Sequence, residues 1–119
     1  MTEIWVDVSF DSAHLLPNVP KGHKCGRLHG HTYRVRLYVG GEVNEHTGWI
    51  VDYADIKEAW QPVHDQLDHR YLNDLLGLDN PTCELIAAWI WGKLAWRLPG
   101  LSRIEIQETC TAGCVYTGP

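Results

Sequence analysis

The chain has 119 residues, of which 45% are hydrophobic and 21% charged, and this predicts a single globular domain over residues 1–119. Its formal net charge of −5 argues against a surface built to bind nucleic acid. No apolar run approaches the length of a membrane-spanning helix, and the N-terminus lacks the pattern of a signal peptide. We therefore expect a cytoplasmic protein without a membrane partner, whose four cysteines are reduced thiols. The six tryptophans and five tyrosines would suit an oligomer interface.

Two strands are predicted in the N-terminal third of the chain. Apolar and polar side chains alternate over residues 3–10 and again over residues 31–39, which is the pattern of half-buried strands. Residues 15–30 lack periodicity and contain several prolines and glycines, so they are predicted as a loop. Gly40-Gly41 is predicted as a turn, and residues 48–51 as a short extended piece.

Two amphipathic helices are predicted in the middle of the chain. Asp52 is a candidate N-cap for the first and Thr82 for the second. The apolar stripe of the first helix would consist of Ile56, Ala59, Trp60, Val63 and Leu67. The stripe of the second would consist of Ile86, Trp89, Ile90 and Leu94. Pro62 lies inside the first pattern and should bend that helix or displace its start.

Two further strands are predicted near the C-terminus, one around Ile104 and Ile106 and one over residues 114–117. The order of elements is then ββααββ. Strands that follow each other so closely pair antiparallel, so we expect an α+β domain with a four-stranded sheet and both helices on one face.

The strongest chemical signal is His29-Gly30-His31. In an extended backbone, residues i and i+2 point to the same side, so both imidazoles can reach one metal ion. His14, beyond the end of the first predicted strand, is a third candidate. Three imidazoles and an open fourth position are typical of catalytic zinc. Histidine pairs with this spacing also occur without metal, and that alternative stays open.

Cys25 lies in the same loop as His29, between Lys24 and Arg27. A thiol beside cationic side chains or zinc can act as a base or nucleophile. The spacing fits equally well a fourth zinc ligand that would close a structural site.

Asp68-His69 and Glu108 are further candidates. His69 could shuttle protons, since imidazole titrates near neutrality, or it could be a helix C-terminal histidine. Glu108, at the end of the third predicted strand, could accept two hydrogen bonds from an amino-heterocycle, or it could be a solvated side chain.

These residues fall within motifs that follow one another along nearly the whole chain. The motifs are Phe10-Asp11-Ser12-Ala13-His14, residues 22–31 (GHKCGRLHGH), residues 47–52 (TGWIVD), residues 67–74 (LDHRYLND), residues 80–84 (NPTCE) and residues 108–114 (ETCTAGC). Together they resemble the 6-pyruvoyl-tetrahydropterin synthase family. Ser12 and Cys83 are minor departures at positions where small apolar residues and serine are common, and neither should remove a ligand.

The resemblance implies the tunnelling fold, assembled as trimers that stack into a homohexamer, with sites between subunits. It implies zinc at His14, His29 and His31, and Cys25 as the proton acceptor. His69 would be its relay partner, supported by Asp68.

The resemblance also implies a pterin triphosphate as the substrate. Glu108 would anchor the pterin ring and join the relay, and Thr82 is assigned to substrate binding. The basic loop, with Lys24 and Arg27, is the candidate for the triphosphate.

The interval Cys25-x-x-x-His29 is the form associated with the carboxy-pterin branch of the family, which serves queuosine biosynthesis. That branch acts on 7,8-dihydroneopterin triphosphate, releasing acetaldehyde and triphosphate. Two alternatives remain: a pyruvoyl-type elimination on the same substrate, and a non-catalytic zinc-binding module.

Overall fold

Four strands and two helices, in the predicted order ββααββ, make up the fold of residues 1–119 in a computed structural model. The elements are β1 (Thr2–His14), β2 (His29–Gly41), α1 (Tyr53–Leu67), α2 (Cys83–Leu94), β3 (Leu101–Thr109) and β4 (Ala112–Tyr116). Single 3-10 turns lie at Lys24–Gly26 and Leu72–Asp74. Neither helix is long and apolar enough to span a bilayer.

The sheet is antiparallel throughout, with the strand order β1-β2-β3-β4. Side chains alternate between its faces, and one face carries the apolar set that packs on the helices. On β2 this set includes Tyr33, Val35 and Leu37, all at most 1% exposed. Helix α1 packs on β1, and α2 packs on β3 and β4. The α+β prediction, with both helices on one face, is confirmed.

Both predicted helix caps are present. The carboxylate of Asp52 accepts from the N–H of Ala54 at 2.9 Å, and the hydroxyl of Thr82 accepts from the N–H of Leu85 at 3.2 Å. The predicted stripe of α1 is entirely buried, and α1 runs through Pro62 without losing its N-terminal start at Tyr53. On α2 the predicted stripe is buried except for Trp89, which is half-buried.

Three details of the predicted elements were wrong. β1 does not end at Phe10 but continues to His14, because every residue from 2 to 14 finds a partner on β2. Gly40-Gly41 is not a turn: both residues belong to β2, and the N–H of Gly40 donates to the carbonyl of Gly100.

Residues 48–51 do not form the predicted extended piece but a series of bends. The side chain of Asn44 accepts from the N–H groups of His46 and Thr47, and the backbone N–H of Asn44 donates to the carbonyl of Trp49. Several backbone N–H and C=O groups of this loop are therefore hydrogen-bonded within the loop itself. Gly48, with φ of 78°, supplies the left-handed residue that this closure needs.

Candidate metal centre and active site

The end of the β1–β2 ladder brings three histidines together. His14 pairs directly with His29, and Ser12 pairs with His31. The alternation that buries Phe10 on β1 and Tyr33 on β2 continues to these residues, so all three imidazoles lie on the helix-facing side of the sheet. The predicted cluster of three histidines is therefore a continuation of the core stripe.

The rings form a tight group, with centroids between 4.6 and 5.2 Å apart. Nδ1 of His14 donates to the carbonyl of Pro81 at 2.8 Å, and Nδ1 of His29 donates to the carbonyl of Arg27 at 2.6 Å. A carbonyl can only accept, so these bonds place the ring proton on Nδ1. The lone pair of each Nε2 is then free to bind a metal.

The third ring has an unsatisfied atom. Nε2 of His31 is buried and makes no hydrogen bond, although Oε1 of Glu108 lies 3.0 Å away. Burial lowers the pKa of both His14 and His31, which favours the neutral imidazoles that a metal requires. An orphaned nitrogen among neutral imidazoles fits a bound divalent cation.

Glu108 completes this group of donor atoms. One ligand atom each from His14, His29, His31 and Glu108 lies within 4.8 Å of the others, so the four residues could hold a metal ion. Glu108 shares the parity of Ile104 and Ile106 and so points to the same face of β3. Its side chain is 26% exposed, which leaves it accessible from outside the cluster.

Tyr33 is a residue of the site that sequence reasoning missed. It is fully buried, and its hydroxyl lies 3.2 Å from both ring nitrogens of His14. Burial raises the pKa of this phenol, so it stays protonated. The Tyr33 ring stacks on Phe10 and lies between it and the histidine cluster. The alternation of side chains along β2 puts Tyr33 on the same face as His29 and His31, so the sequence could have revealed it.

Cys25 is not among the converging donor atoms. It is half-buried in the 3-10 turn Lys24–Gly26, where its N–H donates to the ring of His23 and its carbonyl accepts from the N–H of Leu16. The chain thus holds this loop close to the end of β1 while Sγ stays outside the histidine group. Cys25 is therefore not placed as the fourth ligand of a structural zinc site, the alternative that its spacing from His29 had allowed.

The other predicted substrate contacts are spread around the site. Lys24 and Arg27 are exposed, and Arg27 lines a cavity of about 250 Å³ together with Lys21 and His23. Thr82 follows Pro81, whose carbonyl holds His14, and its hydroxyl is used in capping α2.

Asp68 and His69 form a pair just after α1. Nδ1 of His69 donates to Oδ2 of Asp68 at 2.7 Å, which leaves Nε2 of His69 as the free, basic nitrogen. This bond raises the pKa of His69, whereas the backbone N–H of Asp11 and then His69 lower the pKa of Asp68. His69 is the only non-glycine residue with positive φ, at 54°, a strained conformation of the kind found at functional sites.

Within this chain no hydrogen bond joins His69 to Cys25. The side chain of His69 is 78% exposed and lines a cavity of about 580 Å³ with Asp11 and Thr32, whose side chains lie on the face of the sheet opposite the helices. Cys25 does not line that cavity. His31 of the histidine cluster lines the same cavity, so the cluster and the Asp68–His69 pair border one another at this end of the sheet.

Comparisons with known proteins identify the family. Residues 3–119 match the 6-pyruvoyl tetrahydropterin synthase family. A 6-carboxy-5,6,7,8-tetrahydropterin synthase of Synechocystis is 44% identical over 98% of this chain and 93% of its own. A dihydroneopterin monophosphate aldolase of Pyrococcus furiosus is 38% identical over 84% of this chain and 83% of its own.

The fold agrees with solved structures of the same family. A 6-pyruvoyl tetrahydropterin synthase of Caenorhabditis elegans superposes with a TM-score of 0.89 at 26% identity, covering 99% of this chain and 96% of its own. The chain therefore belongs to the 6-pyruvoyl tetrahydropterin synthase family and is a pterin-processing enzyme with the tunnelling fold.

Proposed function

We propose that this chain is a zinc-dependent lyase that converts 7,8-dihydroneopterin triphosphate to 6-carboxy-5,6,7,8-tetrahydropterin, with release of acetaldehyde and triphosphate, in queuosine biosynthesis. One observation carries the proposal: the three converging histidines lie in a chain 44% identical to a carboxy-tetrahydropterin synthase. The interval from Cys25 to His29, which is associated with the same branch, supports it.

His14, His29 and His31 would hold the zinc through Nε2 atoms, and the Nδ1 bonds to Pro81 and Arg27 fix two of these rings. When bound, zinc would supply Lewis-acid polarisation of the substrate's side-chain oxygens. Tyr33 closes the inner side of the cluster and excludes water there.

Glu108 would recognise the pterin. Its carboxylate is part exposed beside the histidines, and a carboxylate can accept two parallel hydrogen bonds from the N–H groups of an aminopyrimidinone. Thr82, next to the backbone that holds His14, would contact the same substrate. The exposed Lys24 and Arg27 would offer positive charge to the triphosphate.

Cys25 and His69 would move protons. Asp68 fixes the tautomer of His69, so that Nε2 can accept or return a proton while Asp68 stabilises the charged ring. Cys25 does not line the cavity that His69 lines and is not hydrogen-bonded to His69, and we propose that the relay is completed between neighbouring subunits of a homohexamer.

Product analysis tests the reaction. The zinc-loaded protein would be incubated with dihydroneopterin triphosphate and the products identified by mass spectrometry, with Cys25→Ala as the inactive control. We expect acetaldehyde and a 6-carboxy-tetrahydropterin that are absent from the control. A pyruvoyl-type pterin would move the chain to the sister activity, and absence of turnover despite bound zinc would favour a non-catalytic zinc module.

The Pyrococcus relative supports a second candidate within the same reaction class, an aldol cleavage of dihydroneopterin monophosphate. Parallel incubations with the monophosphate and triphosphate decide between them. Faster turnover of the triphosphate is expected, because Lys21, Lys24 and Arg27 place more positive charge on the loop than one phosphate needs.

A further inference from the structure

Asp11 contacts both members of the Asp68–His69 pair through its backbone. Its N–H donates to Oδ1 of Asp68 at 2.8 Å, and its carbonyl accepts from the N–H of His69 at 2.6 Å. The other oxygen of Asp68 binds the ring of His69. The outer edge of β1 therefore orients the Asp68 carboxylate and also holds His69 in its left-handed conformation.

The side chain of Asp11 is itself fixed across the sheet. Thr32 is its direct partner on β2, and the Thr32 hydroxyl donates to Oδ1 of Asp11 at 2.5 Å. Asp11, Thr32 and His69 line one cavity. The Asp11 carboxylate forms no salt bridge with a cationic side chain, and its negative charge contributes to the raised pKa of the His69 imidazole.

We propose that Asp11, held by Thr32, is a positioning residue that sets the orientation and charge of the Asp68–His69 pair. The inference deepens the proposed function and rests on it, since that function assigns proton transfer to His69. Nothing in the family resemblance distinguishes Asp11 from its neighbours in the first motif.

Other charged groups also surround His69. Asp68, from the end of α1, is the main cause of its raised pKa, and Asp11, from β1, adds to it. Arg70, on the same loop, and His31, from β2, line the same cavity. His64 of α1 lies 3.8 Å from Oδ1 of Asp68 and acts on the pair only through that carboxylate.

Two substitutions separate the two contributions of Asp11. Asp11→Asn keeps an oxygen that can accept from Thr32 but removes the charge. Thr32→Val removes the donor and keeps the charge. Asp7→Asn is the matched control, because Asp7 lies on the same face of β1 and binds its own cross-strand partner, Arg36, at 2.7 and 3.0 Å.

The first readout is the titration of His69 in the intact zinc-loaded protein, followed by NMR of ¹³Cε1-labelled histidine, with His69→Gln to assign the signal. We expect Asp11→Asn to lower the pKa of His69 and Asp7→Asn to leave it unchanged. Equal shifts in both variants would mean a general charge effect and would overturn the proposal, as would no shift in either.

The second readout is turnover of dihydroneopterin triphosphate against pH. Asp11→Asn should move the acidic limb of kcat to lower pH, since His69 must be neutral to accept a proton. Thr32→Val should lower kcat about tenfold with little change in KM, a fraction of what a general base contributes. If Asp11→Asn and Thr32→Val both matched Asp7→Asn in the pH dependence and the size of kcat, the positioning role of Asp11 would be refuted. If the wild type turns over no pterin, the proposed function fails, and the NMR titration alone decides the positioning.

Discussion

His14 and His29 are direct cross-strand partners at the last paired position of β1 and β2, with ring centroids 4.6 Å apart. A slip of one residue in this register would turn one ring to the other face of the sheet. The histidine cluster is thus specified by the same strand pairing that buries Phe10 against Tyr33.

His29→Ala should remove the metal without unfolding the chain, because His29 is only half-buried at a strand end. The loss of one of three ligands should weaken zinc binding by more than the roughly 10–100-fold that loss of a hydrogen-bond partner behind a ligand costs. Zinc content by mass spectrometry and circular dichroism test this. His46→Ala, in an exposed loop, is the control, and full zinc occupancy in His29→Ala would contradict the ligand set.

Glu108→Gln should separate pterin recognition from metal binding. We expect zinc to be retained by the three histidines, while pterin affinity falls by about 1.5–3 kcal/mol, the range for a hydrogen bond to a charged group. Calorimetric titration with a non-reactive pterin gives the affinity, and zinc content is measured on the same sample. Loss of zinc in this variant would instead make Glu108 a fourth ligand, as its 3.0 Å approach to His31 allows.

A site shared between subunits can be detected by complementation. Cys25→Ala and His69→Ala should each be inactive alone. Mixed hexamers from co-expression should regain about a quarter of wild-type activity, because random assembly pairs an intact Cys25 with an intact His69 of another chain at that frequency. No recovery would place both residues of each site in one chain.

The periodicity of the sequence predicted most of the fold because burial on one face dictates it. The stripe of α1, the alternation of β2 and the caps at Asp52 and Thr82 follow from local rules. The end of β1 was missed because Asp11 and Ser12 interrupt the apolar alternation, and only pairing with β2 and contacts with residues 67–70 explain why the strand continues.

The three histidines could be found from sequence because two of them share a face at i and i+2 and the third follows a strand. The approach of Glu108 to these histidines could not be predicted from sequence, since it depends on how β3 lies beside β2. The proposed relay from His69 to Cys25 is beyond any single-chain pattern, because it depends on how subunits pack against one another.

Ser12→Ala should destabilise the protein by about 1–3 kcal/mol, the cost of leaving buried polar groups unpaired. Ser12 is 7% exposed, and its hydroxyl donates to the carbonyl of Leu67 at 2.5 Å and accepts from the N–H of Arg70. Urea unfolding measures the change. Ser9→Ala, at an exposed position of the same strand, should stay within about 0.5 kcal/mol, and an equal effect of both variants would show that the buried contacts are not the cause.

The Asp68–His69 pair should make stability depend on pH in two directions. The pKa of Asp68 is lowered in the folded chain, so its contribution is present above the ordinary aspartate value and is lost as the pH falls through the folded pKa. The pKa of His69 is raised, so its contribution is present below the ordinary histidine value and is lost as the pH rises through the folded pKa. Together they stabilise the fold most between about pH 4 and 6.5.

Asp68→Asn removes the charge on which both shifts depend. The difference in unfolding free energy between wild type and this variant should therefore peak inside that window and shrink on either side, as measured by urea unfolding at several pH values. Asp74→Asn, an exposed carboxylate without a histidine partner, should show no such peak. A difference between wild type and Asp68→Asn that stays constant with pH would mean that Asp68 acts only through its hydrogen bond to Asp11, and that its charge does not couple to His69.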